Sequence, residues 1–246
     1  MNGKSLQYIT SLEKPESDLP YSPILSQDVV CRLNSGLPIN DEEFDRIFPP
    51  KVRACSEVHW SPVLVAMHIA DFTNDLGRIR FLDIGSGPGK LCSLLSLMTK
   101  MQVFGIEQRR DLYSVAKSLA TRNNFLVHYL HGNMLDLDWN DYDIIYLYNP
   151  FQEHLCESGP GVIDNNIELD RKFYFQYVED VFSRFLELRP GKRVITYHGY
   201  GGRFPVSMRL VRSRLIGMGQ LCMWEKMNRL EMIGTLSSLQ PAESGA

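Results

Sequence analysis

Apolar residues along this chain keep two different rhythms, and the change from one to the other divides the sequence. In "HWSPVLVAMHIADFTNDLG" the apolar positions Val65, Ile69, Phe72 and Leu76 recur at the intervals of one helical face. Ser61 stands where a cap belongs, Pro62 suits a first turn and Gly77 closes the end, so a helix is predicted there. A shorter helix precedes it in "INDEEFDRIFPP", where Asn40 and Glu43 have capping-box spacing and Pro49 and Pro50 mark the stop. Past Gly77 the pattern contracts. "RIRFLDIG", "QVFGIE", "FLVHYLHG", "YDIIYLYN" and "RVITYHG" are apolar runs too short for helices. Helix-like stretches, among them "RRDLYSVAKSLATRNN" and "ELDRKFYFQYVEDVFSRFLEL", separate most of them. Strands buried on both faces and separated by helices make a parallel sheet.

In the last of these helices Tyr174, Val178, Val181 and Phe185 fall at core spacing, and Pro190 with Gly191 stops it. "SMRLVRSRLIG" and "QLCMWEKM" then follow each other across a glycine-containing turn, which predicts a terminal antiparallel hairpin. The first ~25 residues, polar and punctuated by proline, read as a loosely docked arm, and "SSLQPAESGA" as a frayed tail.

Composition changes this picture little. With 246 residues, 44% of them hydrophobic, the chain can close one substantial core and shows no break that demands two. No secretory-type run opens it, and no stretch approaches the ~20 apolar residues of a membrane span. Cys31, Cys55, Cys92, Cys156 and Cys222 stand singly, which suggests reduced thiols in a cytoplasm and neither a disulfide framework nor a metal site. The net charge of −3 hides a polarity: residues 171–230 carry 12 Lys and Arg against 4 Asp and Glu. That excess is either a solvated face or the mark of an anionic partner.

Candidate chemistry gathers where strands end. "FLDIGSGPGK" takes a strand ending near Asp83 through Gly85, Gly87 and Gly89 into a helix, which brings bare backbone to the carboxyl edge of the sheet. The next strand ends in Glu107, placed to accept hydrogen bonds from ribose hydroxyls. The spacing is GxGxG and not the GxGxxG of pyrophosphate-binding turns, so a nucleotide-like cofactor without phosphates is expected.

"LDIGSGPGK" together with "GIE" resembles the first two motifs of the class I, seven-strand S-adenosylmethionine-dependent methyltransferases, over about residues 57–232. The resemblance implies an α/β, Rossmann-like seven-strand sheet, mostly parallel, with the hairpin at its end and a small helical N-terminal cap. It divides the chain into arm and cap (1–56), methyltransferase domain (57–235) and flexible tail (236–246). It also implies a cofactor site. Gly85, Ser86, Gly87 and Gly89 would pass under the methionine and ribose of S-adenosyl-L-methionine. Asp83 would hold the turn or the ammonium group, and Glu107 with Gln108 would meet the ribose. Asn133 and Met134, in "HGNM", would meet the adenine, with Asn133 in place of the family's usual aspartate.

"YLYNPFQEH", at the end of the fourth strand, is similar to the Asn-Pro-Pro-aromatic element of amino-group methyltransferases but lacks the second proline. By that resemblance Asn149 and Pro150 would accept the protons of a target amine between Tyr148 and Phe151, making these four the candidate catalytic residues. Because transfer from a sulfonium is an in-line displacement, alignment matters most and no metal or strong base is required. Asn149 is otherwise a turn former before proline. His154 either takes up a released proton or is an ordinary loop histidine. Ser61 and Pro62 match a Thr-Pro element beside the site, so His59 and Trp60 either border the site or staple a helix. The expected acceptor is a protein lysine side chain. Nucleic-acid adenine-N6 and a small amine are the alternatives, and a non-catalytic cofactor-binding module or a nicotinamide oxidoreductase are lesser ones.

Overall fold

A computed structural model describes residues 21–156, 159, 161–164 and 166–238, with side chains through 233. Most of the expected arm, and the chain after Ser238, lie outside the described residues. Four short helices form the cap: α1 (Gln27–Asn34), α2 (Asp41–Asp45), α3 (Pro50–Ala54) and α4 (Ser56–His59). The Asn40–Glu43 capping box is present at α2. Pro50, expected to end a helix, begins one: its missing N–H and fixed φ suit the first helical position of α3.

Helix α5 (Val63–Thr73) follows, but Ser61 does not cap it. The Ser61 hydroxyl is 2.7 Å from the phenol of Tyr146, and the N–H of Val63 donates to Asp41 of α2 at 2.9 Å. A side chain remote in sequence thus supplies what a local cap would have, and it ties the cap to the main domain. Next come β1 (Arg80–Ile84), α6 (Lys90–Met98), β2 (Gln102–Glu107), α7 (Arg110–Asn123) and β3 (Val127–His131). Beyond them lie β4 (Ile144–Tyr148), α8 (Arg171–Glu187), β5 (Arg193–Tyr197), β6 (Met208–Ile216), β7 (Gly219–Lys226) and α9 (Arg229–Ser238). The described strands form one seven-stranded sheet in the order β3-β2-β1-β4-β5-β7-β6. Strands β1 to β5 are parallel, and β7 runs antiparallel between β5 and β6.

Central strands are buried on both faces, as their unbroken apolar runs require: Phe81, Leu82, Val103, Ile144, Ile145, Val194 and Ile195 are at most 1% exposed. Each such side chain contributes about 1.5–3 kcal/mol by leaving water. β3 differs from expectation: none of its residues is fully buried, because it closes one edge of the sheet. Alternate residues serve two cores. Phe81, Val103, Tyr146 and Ile195 meet α5, α6 and the cap, while Leu82, Ile145, Leu147 and Val194 meet Val181 and Phe185 of α8. The carbonyls of Phe185 and Leu186, at the end of α8, accept from the buried ammonium of Lys226 at 2.9 Å each. Helices α4 and α9 run across the boundaries expected at 56/57 and 235/236.

Candidate active site

The five parallel strands end at one edge, and there a cavity of about 340 Å³ opens. Asp83, Gly85, Ser86, Glu107, Gln108, Asn133, Met134, Tyr148, Asn149, Pro150 and Phe151 all line it, so residues spread over 69 positions of the sequence converge. Gly87 and Gly89 do not line it. Their role is packing: a Cβ at Gly87 would stand 2.7 Å from the ring of Trp60, and one at Gly89 would enter the ring of Tyr129. Only Gly85, at φ +70° with open space around its absent side chain, offers bare backbone to a ligand.

The donors of the glycine turn are engaged internally. The N–H groups of Gly85 and Ser86 both bond the carbonyl of Ile106, that of Gly87 bonds Glu107 at 2.9 Å, and that of Gly89 bonds Ser86. Pro88 has none. A pyrophosphate needs such N–H groups, whereas a sulfonium or ammonium needs acceptors, and those stand here: Asp83 and Glu107 in the wall and the open face of Gly85. The Ser86 hydroxyl lies over Gly105 and faces the sheet. The residues therefore fit a phosphate-free, positively charged nucleoside cofactor, which Glu107 would hold at the ribose and Asp83 at the ammonium end.

Burial sets the electrostatics. It pushes Asp83 up to about 7, the charge of Glu107 adding to the shift and the hydrogen bond from Cys92 opposing it. Glu107 is also raised by burial, against the N–H bonds it receives from Arg109 and Gly87. Both acids gain from a cation in the cavity. Asn133 is placed differently from expectation: its side-chain oxygen accepts the N–H of Leu135 at 3.0 Å and starts a 3-10 turn, while its amide nitrogen is 3.4 Å from the Tyr177 phenol. An acceptor that already serves its own backbone is a weaker adenine contact than a free one.

On the other side of the cavity, Asn149 holds a left-handed backbone at φ +35° and its side-chain N–H donates to Gln152 at 3.3 Å. That bond orients the amide and leaves its oxygen without a hydrogen-bond partner among the described residues. Tyr148 and Phe151 are not facing walls. Tyr148 packs with Tyr197 in the core on the α5 side, its hydroxyl donating to Val58, whereas Phe151 lies in the α8 core, stacked on Tyr177 at 5.1 Å. Their opposition fails because a turn carries the chain from one face of the sheet to the other between them. His154 is buried, lowered by burial, and accepts the N–H of Asp170 at its Nδ1, 3.4 Å away. That bond anchors the loop, and His154 also lines the cavity. Trp60 borders the site, covering Gly87 and donating to Val52 at 2.9 Å.

Two cations escaped sequence reasoning. Lys90, 2% exposed, reaches Asp41 at 2.6 Å, Asp45 at 2.8 Å and Ser56 at 3.0 Å, fastening α2 and α4 to the glycine turn. Arg109 donates its backbone N–H to Glu107, and its guanidinium bonds Glu153 at 2.7 Å and Asp164 at 3.1 Å, pinning the loop after β4. Its place two residues after the acid at the strand end was the available signal. Among the described residues no cluster of three or more metal-ligating side chains occurs, and no helix is long and apolar enough to cross a membrane.

Residues 81–163 match a family model described as a methyltransferase domain. No curated protein matches the sequence. Among solved structures, the TrmN protein of Thermus thermophilus is similar at 16% identity and a TM-score of 0.52, over 71% of this chain and 52% of that one. An RNA methyltransferase of Salinibacter ruber in complex with S-adenosyl-L-homocysteine is similar at 18% identity and a TM-score of 0.47, over 68% of this chain and 91% of its own. The seven-stranded topology and a cavity suited to a phosphate-free cationic nucleoside agree with that methyltransferase-domain match.

Proposed function

We propose that this chain is a class I S-adenosylmethionine-dependent methyltransferase, that it methylates an amino group, and that the acceptor is a protein lysine side chain in the cytoplasm. The observation that carries this reading is Asn149: a side-chain oxygen with no hydrogen-bond partner among the described residues, held at the cavity wall beside the half-buried Tyr148 by the bond to Gln152. When bound, S-adenosylmethionine supplies an electrophilic methyl group. The chain's part is then to hold the nucleophile in line and dry. The Asn149 oxygen accepts from the acceptor nitrogen, the carbonyl of Pro150 stands next to it in sequence, and Tyr148 strips water from a slender aliphatic stem.

Adenine-N6 is the weaker alternative, because one face of the Phe151 ring is already covered by Tyr177. Part of the basic hairpin is also neutralised, Arg209 by Glu225 and Arg212 by Asp75, while Arg214 lies 3.4 Å from the His68 ring. Tritiated S-adenosylmethionine, incubated with lysate of a strain deleted for this chain, tests the acceptor class. Label should be lost to protease, resist nuclease and survive mild base. Label released by nuclease would promote the adenine reading.

A further inference from the structure

We propose that His198 is the base that takes the proton from the acceptor's ammonium group before transfer, an assignment that rests on the amino-group reading above. The imidazole lines the cavity from the end of β5, next to the strand that ends in Tyr148 and Asn149. Its backbone sits at φ +59°, a left-handed conformation that glycine adopts freely and L side chains rarely do. Glycine is available in the same stretch, at Gly199, Gly201 and Gly202, yet the strained position carries the titratable side chain. Strain of this kind persists only where the surroundings over-determine it, and it collects at functional sites.

The surroundings are specific. Asn149, the other strained residue of the cavity wall, donates its N–H to the carbonyl of Gly199 at 3.1 Å, so the turn bearing the amide and the turn bearing the imidazole are one hydrogen-bonded unit. The His198 N–H donates to Gln220 of β7 at 3.3 Å. Its ring lies 4.3 Å from that of Tyr197 and 5.9 Å from that of Tyr148, and a Cβ on Gly219 would stand 2.5 Å from its Nε2. β7 thus leaves room for the imidazole through a missing side chain. The titratable groups packed against it are the phenols of Tyr148 and Tyr197, both raised by burial and therefore neutral, while β7 presents only Gly219 and Gln220. Neither imidazole nitrogen has a hydrogen-bond partner among the described residues, and the residue is exposed, so a proton has a path onward to water.

A lysine amine is protonated at neutral pH and has no lone pair to offer. In the proposed step the R–NH3⁺ proton passes to a ring nitrogen of His198, and the freed pair forms the N–C bond. The C–S bond breaks with its electrons left on sulfur, and the imidazolium then yields its proton to solvent. His154 lines the same cavity but is buried and spends its Nδ1 on the Asp170 N–H, so it lacks the open path to water that the exposed His198 has.

The test follows the initial rate of labelling of the lysate protein fraction by tritiated S-adenosylmethionine at saturating concentration. His198→Ala should lower the rate by about 100-fold or more, the usual share of general base catalysis, and added imidazole should restore part of it. Without cofactor, His198→Gly should melt at the wild-type temperature or higher, since it removes strain. A rate close to wild type in His198→Ala, a slow variant that imidazole does not rescue, or a lower melting temperature in His198→Gly would each overturn the assignment. A base-labile methyl ester as the wild-type product would remove the amino-group reading instead. An N-methyl product formed equally well without His198 would remove only the base.

Discussion

The two halves of the sheet edge are built by opposite means. On the β1–β2 side the cavity wall is backbone and two buried carboxylates: Gly85 faces open space, and the turn's own N–H groups are tied to Ile106 and Glu107. On the β4–β5 side it is made of side chains at strained positions, Asn149 and His198, linked through the Asn149 N–H bond to Gly199. Under the proposed function the first half would present a fixed shape to a cofactor that is always the same. The second would carry adjustable chemistry for an acceptor. Arg109 joins them, with its N–H on Glu107 and its guanidinium on the loop after β4.

The largest way to break the contrast is at the fastening beneath it. Lys90→Met leaves Asp45 buried without its cation, and unfolding titrations should show a loss of about 3–5 kcal/mol. Burial already raises the Asp45 carboxyl against the pull of Lys90. A raised acid binds its proton more tightly folded than unfolded, so the variant should regain stability as pH falls. A deficit independent of pH would mean that Asp45 is not the source.

Next is the cofactor half. Glu107→Ala should weaken S-adenosylhomocysteine by about 1.5–3 kcal/mol for each charge-assisted hydrogen bond lost, measured by calorimetry. A smaller effect should appear with pH. Asp83 titrates near 7 when folded, above its unfolded value. Free protein therefore loses stability as pH rises towards 7, while affinity for a ligand bearing an ammonium group rises over the same range. Asp83→Asn should flatten both trends, and an unchanged pH profile in that variant would sever the link.

On the acceptor side, Asn149→Ala should cut turnover by about 10- to 100-fold while leaving cofactor affinity nearly unchanged, provided the amide acts mainly in the transition state. Equal losses in both would place Asn149 in the cofactor half. The smallest effect is expected at the hairpin. Arg212→Gln removes an exposed pair with Asp75 and should alter stability by less than about 1 kcal/mol, with labelling unchanged.

What the sequence determined is what depends on neighbours along the chain. The alternation of short apolar runs and helices was enough for the α/β class, because burial on two faces leaves a continuous apolar run. The glycine turn was readable as a pattern, but its glycines have different causes: Gly85 leaves open backbone at the cavity, whereas a Cβ at Gly87 or Gly89 would meet Trp60 or Tyr129. The Asn40 capping box was readable for a local reason. What only the tertiary structure decided depends on partners far apart in sequence. Ser61 is drawn from its cap by Tyr146, 85 residues on, and Asp41 caps α5 in its place. Tyr148 and Phe151 look like a pair along the chain yet serve opposite cores. The hairpin turn at Gly217 lies at the carboxyl edge, because β7 runs antiparallel to β5 and begins beside Tyr197. His198 stood unmarked in "TYHGYGG", since a backbone angle and a missing Cβ on a strand 21 residues away, neither of them written in residue type, make its position unusual.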